Sequence, residues 1–109
     1  MARQAEETLS MPLPLSEAYQ RCLGAADAIP RSKLKSADQA ANRLELRTKM
    51  SFKSFGEKVE LLLSPEGESS TRVHVLSKAV VPTTLVDYGK NRGNVNCVVS
   101  WLLRTRAES

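Results

Sequence analysis

Apolar and polar residues alternate with a period of two in four separate stretches, and recur with the 3.6-residue helical period in two others. Leu9, Met11 and Leu13 oppose Thr8, Ser10 and Pro12, which predicts a half-buried strand over residues 6–14. Pro12 lacks a donor, so its nitrogen must face away from a ladder or lie near the strand end. Leu15, Ala18, Tyr19, Cys22, Ala25, Ala26 and Ile29 share one helical face. They predict a helix over residues 16–29, started by Ser16 and Glu17 and stopped by Pro30.

Residues 32–38 form a weaker strand, followed by turn chemistry from Asp38 to Asn42. Leu44, Leu46, Thr48 and Met50 then alternate with Arg43, Glu45, Arg47 and Lys49, giving a strand over 43–50 with one core face and one charged face. Gly56 marks a turn, with Phe52 and Phe55 available to pack beneath it. Val59, Leu61 and Leu63 face inward on a strand over 57–64, opposite Lys58 and Glu60. After a polar loop over 64–70, Val73, Val75, Ser77 and Ala79 face inward over 71–80, opposite Arg72, His74, Leu76 and Lys78.

The last element is a long helix over residues 84–106. Pro82 stops the preceding strand, Thr83 or Thr84 supplies a capping hydroxyl, and Asp87 sits in the positive first turn. Leu85, Tyr88, Val95, Val99, Leu102 and Leu103 make its apolar stripe. Arg92 falls within that stripe and is expected either to snorkel to its edge or to pair with an acid, Glu57 being the candidate partner. Gly89 and Gly93 lie near its edge, where close approach of the helix to the sheet, or a kink, would offset their low helix propensity. Val86, Cys97 and Trp101 form a second apolar patch, covered either by the amino-terminal residues or by a second copy in a homodimer.

The order strand, helix, four strands, helix is that of an α+β domain. Its expected form is an antiparallel five-stranded sheet with two helices on one face, the first strand pairing with the last. A chain of 109 residues holds one such domain with one core, residues 1–109. Neither a signal peptide nor a run of apolar residues long enough to span a bilayer is present, so a cytoplasmic location is expected, with no membrane partner. Cys22 and Cys97 are read as reduced thiols; no metal ligand set is found, and no cofactor is expected.

Two segments carry a more specific signal. The first is S-F-K-S-F-G-E-K, with Lys53, Ser54, Phe55, Gly56 and Glu57; the second is P-T-T-L-V-D-Y-G-K-N-R-G-N-V. Together they resemble a family of small, uncharacterised bacterial domains that carries K-S-[WF]-G-E and then P-T-T-L-x-D-[YW]-G-K-N-x-x-N. Pro82, Thr83, Thr84, Leu85, Asp87, Tyr88, Gly89, Lys90, Asn91 and Asn94 match the second motif. Gly93 departs from the family's usual long side chain and bears on whether the helix is continuous there. The element order also resembles one repeat of the TATA-binding-protein-like fold. The family resemblance implies a shared fold and a shared contact site near Glu57, Asp87, Lys90, Asn91 and Asn94. It implies no particular activity.

The net charge of +4 permits an anionic partner without requiring one. Arg43, Arg47, Lys49, Lys58, Arg72 and Lys78 are the candidate nucleic-acid face, but Glu45 and Glu60 interrupt it and no stacking aromatics join it. His74 is the one histidine, on the outer sheet face, and no nucleophile motif or phosphate loop is present, so no catalytic residues are assigned. The expected function is a small non-catalytic binding or interaction module. Nucleic-acid binding and binding of a small apolar ligand between the long helix and the sheet are the alternatives.

Overall fold

A computed structural model describes residues 4–49, 56–80 and 90–107. Five strands, β1 (Gln4–Met11), β2 (Ser32–Asp38), β3 (Arg43–Thr48), β4 (Glu57–Pro65) and β5 (Thr71–Ala79), form one antiparallel sheet in the order β1-β5-β4-β3-β2. The first strand pairs with the last, Leu9 opposite Val73 and Ala5 opposite Ser77, as the sequence predicts. Two helices, α1 (Leu15–Cys22) and α2 (Lys90–Ala107), complete the α+β architecture.

Alternation places the strand residues as expected. Met11, Leu44, Leu46, Val59, Leu61, Val73 and Val75 are fully buried and meet Val95, Val98 and Leu102 of α2 in one core. Burial of each such side chain contributes about 1.5–3 kcal/mol before the opposing chain entropy is counted. Thr71 is buried among them and donates its hydroxyl to the Leu13 carbonyl at 2.9 Å, fixing the start of β5 to the chain leaving β1.

The first helix is shorter than its apolar face suggests. It starts at Leu15 after Pro14, whose extended conformation (φ −59°, ψ 156°) sets the chain for entry, and Ser16 lies inside the helix without a capping bond. It stops at Cys22; a short 3-10 turn, Ala25–Ala28, follows. The break falls at Gly24, which lies under the Trp101 indole: a Cβ there would come within 3.1 Å of Cη2 and 3.2 Å of Cζ2. Ala25 in the 3-10 turn and Ile29 just after it still reach the core, so these apolar positions are met without a continuous helix.

The second helix is rotated relative to the predicted stripe. At 100° per residue, Asn91, Asn94, Val95, Val98 and Leu102 share one face, and all five are buried. Val98 is central where Val99 was expected, Leu103 is 38% exposed, and Arg92 points to solvent. α2 runs without a break through Gly93, which has open space around it, so a close approach does not explain that glycine. The predicted helix start, with Leu85, Val86, Asp87, Tyr88 and Gly89, lies outside the described residues, as do Met50, Phe52 and Phe55.

Candidate functional site

Hydropathy alone would put Asn91 and Asn94 in water. The structure buries them because Ser77 and Glu57 offer partners on the sheet beneath. Ser77 is inward-facing on β5, next in its row after Val73 and Val75. Its hydroxyl donates to Asn91 Oδ1 at 2.8 Å and accepts from Asn94 Nδ2 at 3.2 Å. Asn94 Nδ2 also donates to Glu57 Oε1 at 3.1 Å.

Glu57 opens β4 immediately after Gly56, whose φ of 93° favours glycine. Its inward parity turns a carboxylate toward the core, where it is only 4% exposed. Thr48 at the end of β3 closes a reciprocal pair with it. The threonine hydroxyl donates to Glu57 Oε1 at 2.9 Å and accepts from the Glu57 N–H at 2.8 Å. Burying a carboxylate is costly unless such donors replace water, and here two donors converge on one oxygen. Among the described residues, no buried side-chain polar atom lacks a partner.

A pocket of about 200 Å³ opens over this network. Glu57 and Asn94 are its buried lining residues, with Thr48 half-buried beside them. Ile29, Pro30 and Cys97 also line it, together with the exposed Arg31 and Lys49 and the half-buried Lys90. The Lys49 N–H bonds to the Arg31 carbonyl at 3.0 Å, joining the end of β3 to the turn before β2. Arg31 itself adopts a left-handed conformation, φ 63°, which is uncommon outside glycine and asparagine.

The described ends of the two motif segments, Glu57 of the first and Lys90, Asn91 and Asn94 of the second, therefore meet in space. Of the predicted contact residues, Glu57, Asn91 and Asn94 share one hydrogen-bonded network and Lys90 lines the pocket above it; Asp87 lies outside the described residues. Arg92 is not the partner of Glu57, because helix rotation carries it to the exposed side while Asn94 takes the buried position. Thr48, Ser77 and the pocket residues Ile29, Pro30 and Arg31 were not singled out for this site; inward parity one step beyond the apolar run was the available signal for Thr48 and Ser77.

The candidate nucleic-acid face is largely paired with carboxylates. Arg43 and Lys58 both reach Glu60, at 3.0 Å each, Arg47 binds Glu45 at 2.7 Å, and Arg72 binds Glu66 at 3.2 Å. Glu60 is 7% exposed. Burial pushes its carboxyl up, but the Lys58 hydrogen bond and the charges of Lys58, Arg43 and Lys78 outweigh that and hold it below the ordinary value. Lys49 departs from the group and lines the pocket. His74, on the same outer face, lies 3.0 Å from Glu6.

The candidate self-association patch is divided as well. Trp101 packs against Gly24 of its own chain, Cys97 lines the pocket, and Val86 lies outside the described residues. Gly24, in the link between α1 and the 3-10 turn, is the contact described for the Trp101 ring. Cys22 is fully buried, and desolvation pushes its thiol up to about 12. No helix among the described residues is long and apolar enough to cross a membrane.

No protein-family model and no curated protein matches the chain. Solved structures do. Norcoclaurine synthase from Thalictrum flavum superposes with a TM-score of 0.70 at 8% identity, over 97% of this chain and 87% of that one. A START superfamily protein from Mycobacterium smegmatis gives 0.66 at 9% identity, over 98% of both chains. The di-domain aromatase/cyclase BexL of the BE-7585A biosynthetic pathway gives 0.62 at 17% identity; the alignment covers 89% of this chain but only 45% of that one. At these identities the likeness shows the fold: a START-like, helix-grip α+β arrangement. The TATA-binding-protein-like label shares the order of elements but fits these matched structures poorly.

Proposed function

We propose that the protein is a small-molecule-binding module whose site is the pocket between the first turns of α2 and the sheet. The observation that carries this reading is Glu57, a buried carboxylate held by Thr48 and Asn94 in the lining of an open pocket. A purely structural core at this place would be served by apolar side chains, as it is one turn further along α2 at Val98. The matched folds support the reading: they include a norcoclaurine synthase bound to dopamine and hydroxybenzaldehyde, and aromatase/cyclases.

The pocket is smaller than the roughly 300–1,000 Å³ of sites for drug-sized ligands, so the ligand is compact or only partly enclosed. The apolar-ligand alternative is modified accordingly. Val95, Val98 and Leu102 are fully buried further along α2, and this pocket lies at the polar first turns of the helix. Binding without chemistry is the reading for this site, since the donors around Glu57 Oε1 hold it in place.

A fragment screen by thermal shift tests the proposal, with the wild type and a pocket-filling Cys97→Phe variant each compared with its own ligand-free midpoint. Ligands of this site raise the midpoint of the wild type and leave that of the variant unchanged. Equal shifts in both proteins would place binding elsewhere and reject the site.

A further inference from the structure

The charges around the pocket are unequal. Arg31 just before β2, Lys49 just after β3 and Lys90 at the start of α2 line it, and Glu57 is the acidic residue among its described lining residues. Glu57 is buried, with Oε1 already accepting from Thr48 and Asn94. Arg31 and Lys49 are exposed, and neither side chain has a carboxylate partner among the described residues. The outer sheet face is different: there Arg43, Arg47, Lys58 and Arg72 are each matched by a glutamate.

We infer that the pocket takes a small organic anion, with a negatively charged head group at the Arg31–Lys49–Lys90 mouth and a compact apolar body against Ile29 and Cys97. This rests on the pocket being a ligand site and adds the charge and orientation of what it holds. The inward carboxylate sets the direction, because an anionic head placed beside it would face Glu57, whereas at the exposed rim it faces Arg31 and Lys49. Arg31 is held at that mouth by its left-handed backbone and by the Lys49 N–H on its carbonyl at 3.0 Å. The two unmatched cations therefore belong to one fixed rim.

Three probes with the same ring and different charge test the inference: benzoate, benzyl alcohol and benzylammonium. Each is titrated into the full-length protein at low salt, and binding is read from the backbone amide resonances of Arg31, Lys49 and Asn94. Benzoate is expected to bind roughly tenfold more tightly than benzyl alcohol, with the preference shrinking as salt is added. In the double variant Arg31→Asn, Lys49→Gln, benzoate should fall to the affinity of benzyl alcohol. Asparagine suits the left-handed position, so this variant keeps the backbone of the turn.

Benzylammonium binding as tightly as benzoate, or a double variant that keeps the benzoate preference, would overturn the anion assignment while leaving the ligand site standing. Failure of all three probes to move the three amides would reject the ligand site and the anion assignment together.

Discussion

Asn94 and Glu57, thirty-seven positions apart, are joined by a 3.1 Å hydrogen bond beneath the pocket. Asn94 is 8% exposed and divides its amide donor group between that carboxylate and Ser77. Removing it by Asn94→Ala takes a donor from a buried charge, at an expected cost of about 2 kcal/mol. Glu57→Gln keeps an acceptor for Thr48 and Asn94 and should cost under about 1 kcal/mol. Urea denaturation of the two variants gives the comparison; an Asn94→Ala variant as stable as the wild type would mean that the network contributes nothing to folding.

Gly24 and Trp101 make a second coupled pair. Gly24 has φ −88°, a conformation open to any residue, so Gly24→Ala would ordinarily gain a few tenths of a kcal/mol from the unfolded chain. Here the new methyl would press on the indole at 3.1 Å, and a net loss of about 1 kcal/mol is expected. In a Trp101→Leu background the loss should vanish. A double-mutant cycle measured by denaturation checks this, and additive effects would show that the contact is slack.

The two thiols should separate by reactivity. Cys22 is fully buried with its thiol pushed up to about 12, while Cys97 is half-buried beside the pocket. Iodoacetamide at pH 8 is expected to add one group to the native protein, on Cys97, and a second only in denaturant. Peptide mass spectrometry locates the label, and native labelling of Cys22 would contradict the packing of α1.

Acid should weaken the outer sheet face through Glu60. Its carboxyl titrates below the ordinary value, so the folded chain binds fewer protons there than the unfolded chain. That contribution is present above the unfolded value and is lost as pH falls through the folded one. A Glu60→Gln variant should therefore lose less stability between neutral and acid pH than the wild type. Parallel profiles for the two proteins in urea titrations across that range would remove Glu60 from the acid response.

The strands were legible because alternation on a half-buried sheet is a direct image of the two faces, and Leu44, Leu46, Val59, Leu61, Val73 and Val75 fall where that alternation puts them. The helices were less so. Nothing in the spacing of Ala18, Cys22 and Ala25 reveals that Trp101, some eighty residues on, needs the room at Gly24. The phase of α2 was misread for a related reason: a stripe drawn through apolar residues alone omits asparagines that are buried by hydrogen bonding. Glu57, Asn91 and Asn94 were found as candidates through their motifs, not through periodicity.

The central claim is that small molecules bind where α2 begins over the sheet. The most direct measurement is a two-dimensional ¹H–¹⁵N spectrum of the full chain recorded with and without the strongest thermal-shift ligand. Perturbations centred on Thr48, Glu57, Asn94 and Cys97, with the Arg72 and His74 amides of the outer face unmoved, are the predicted result. Perturbations centred on the outer face, with those four amides still, would contradict the account.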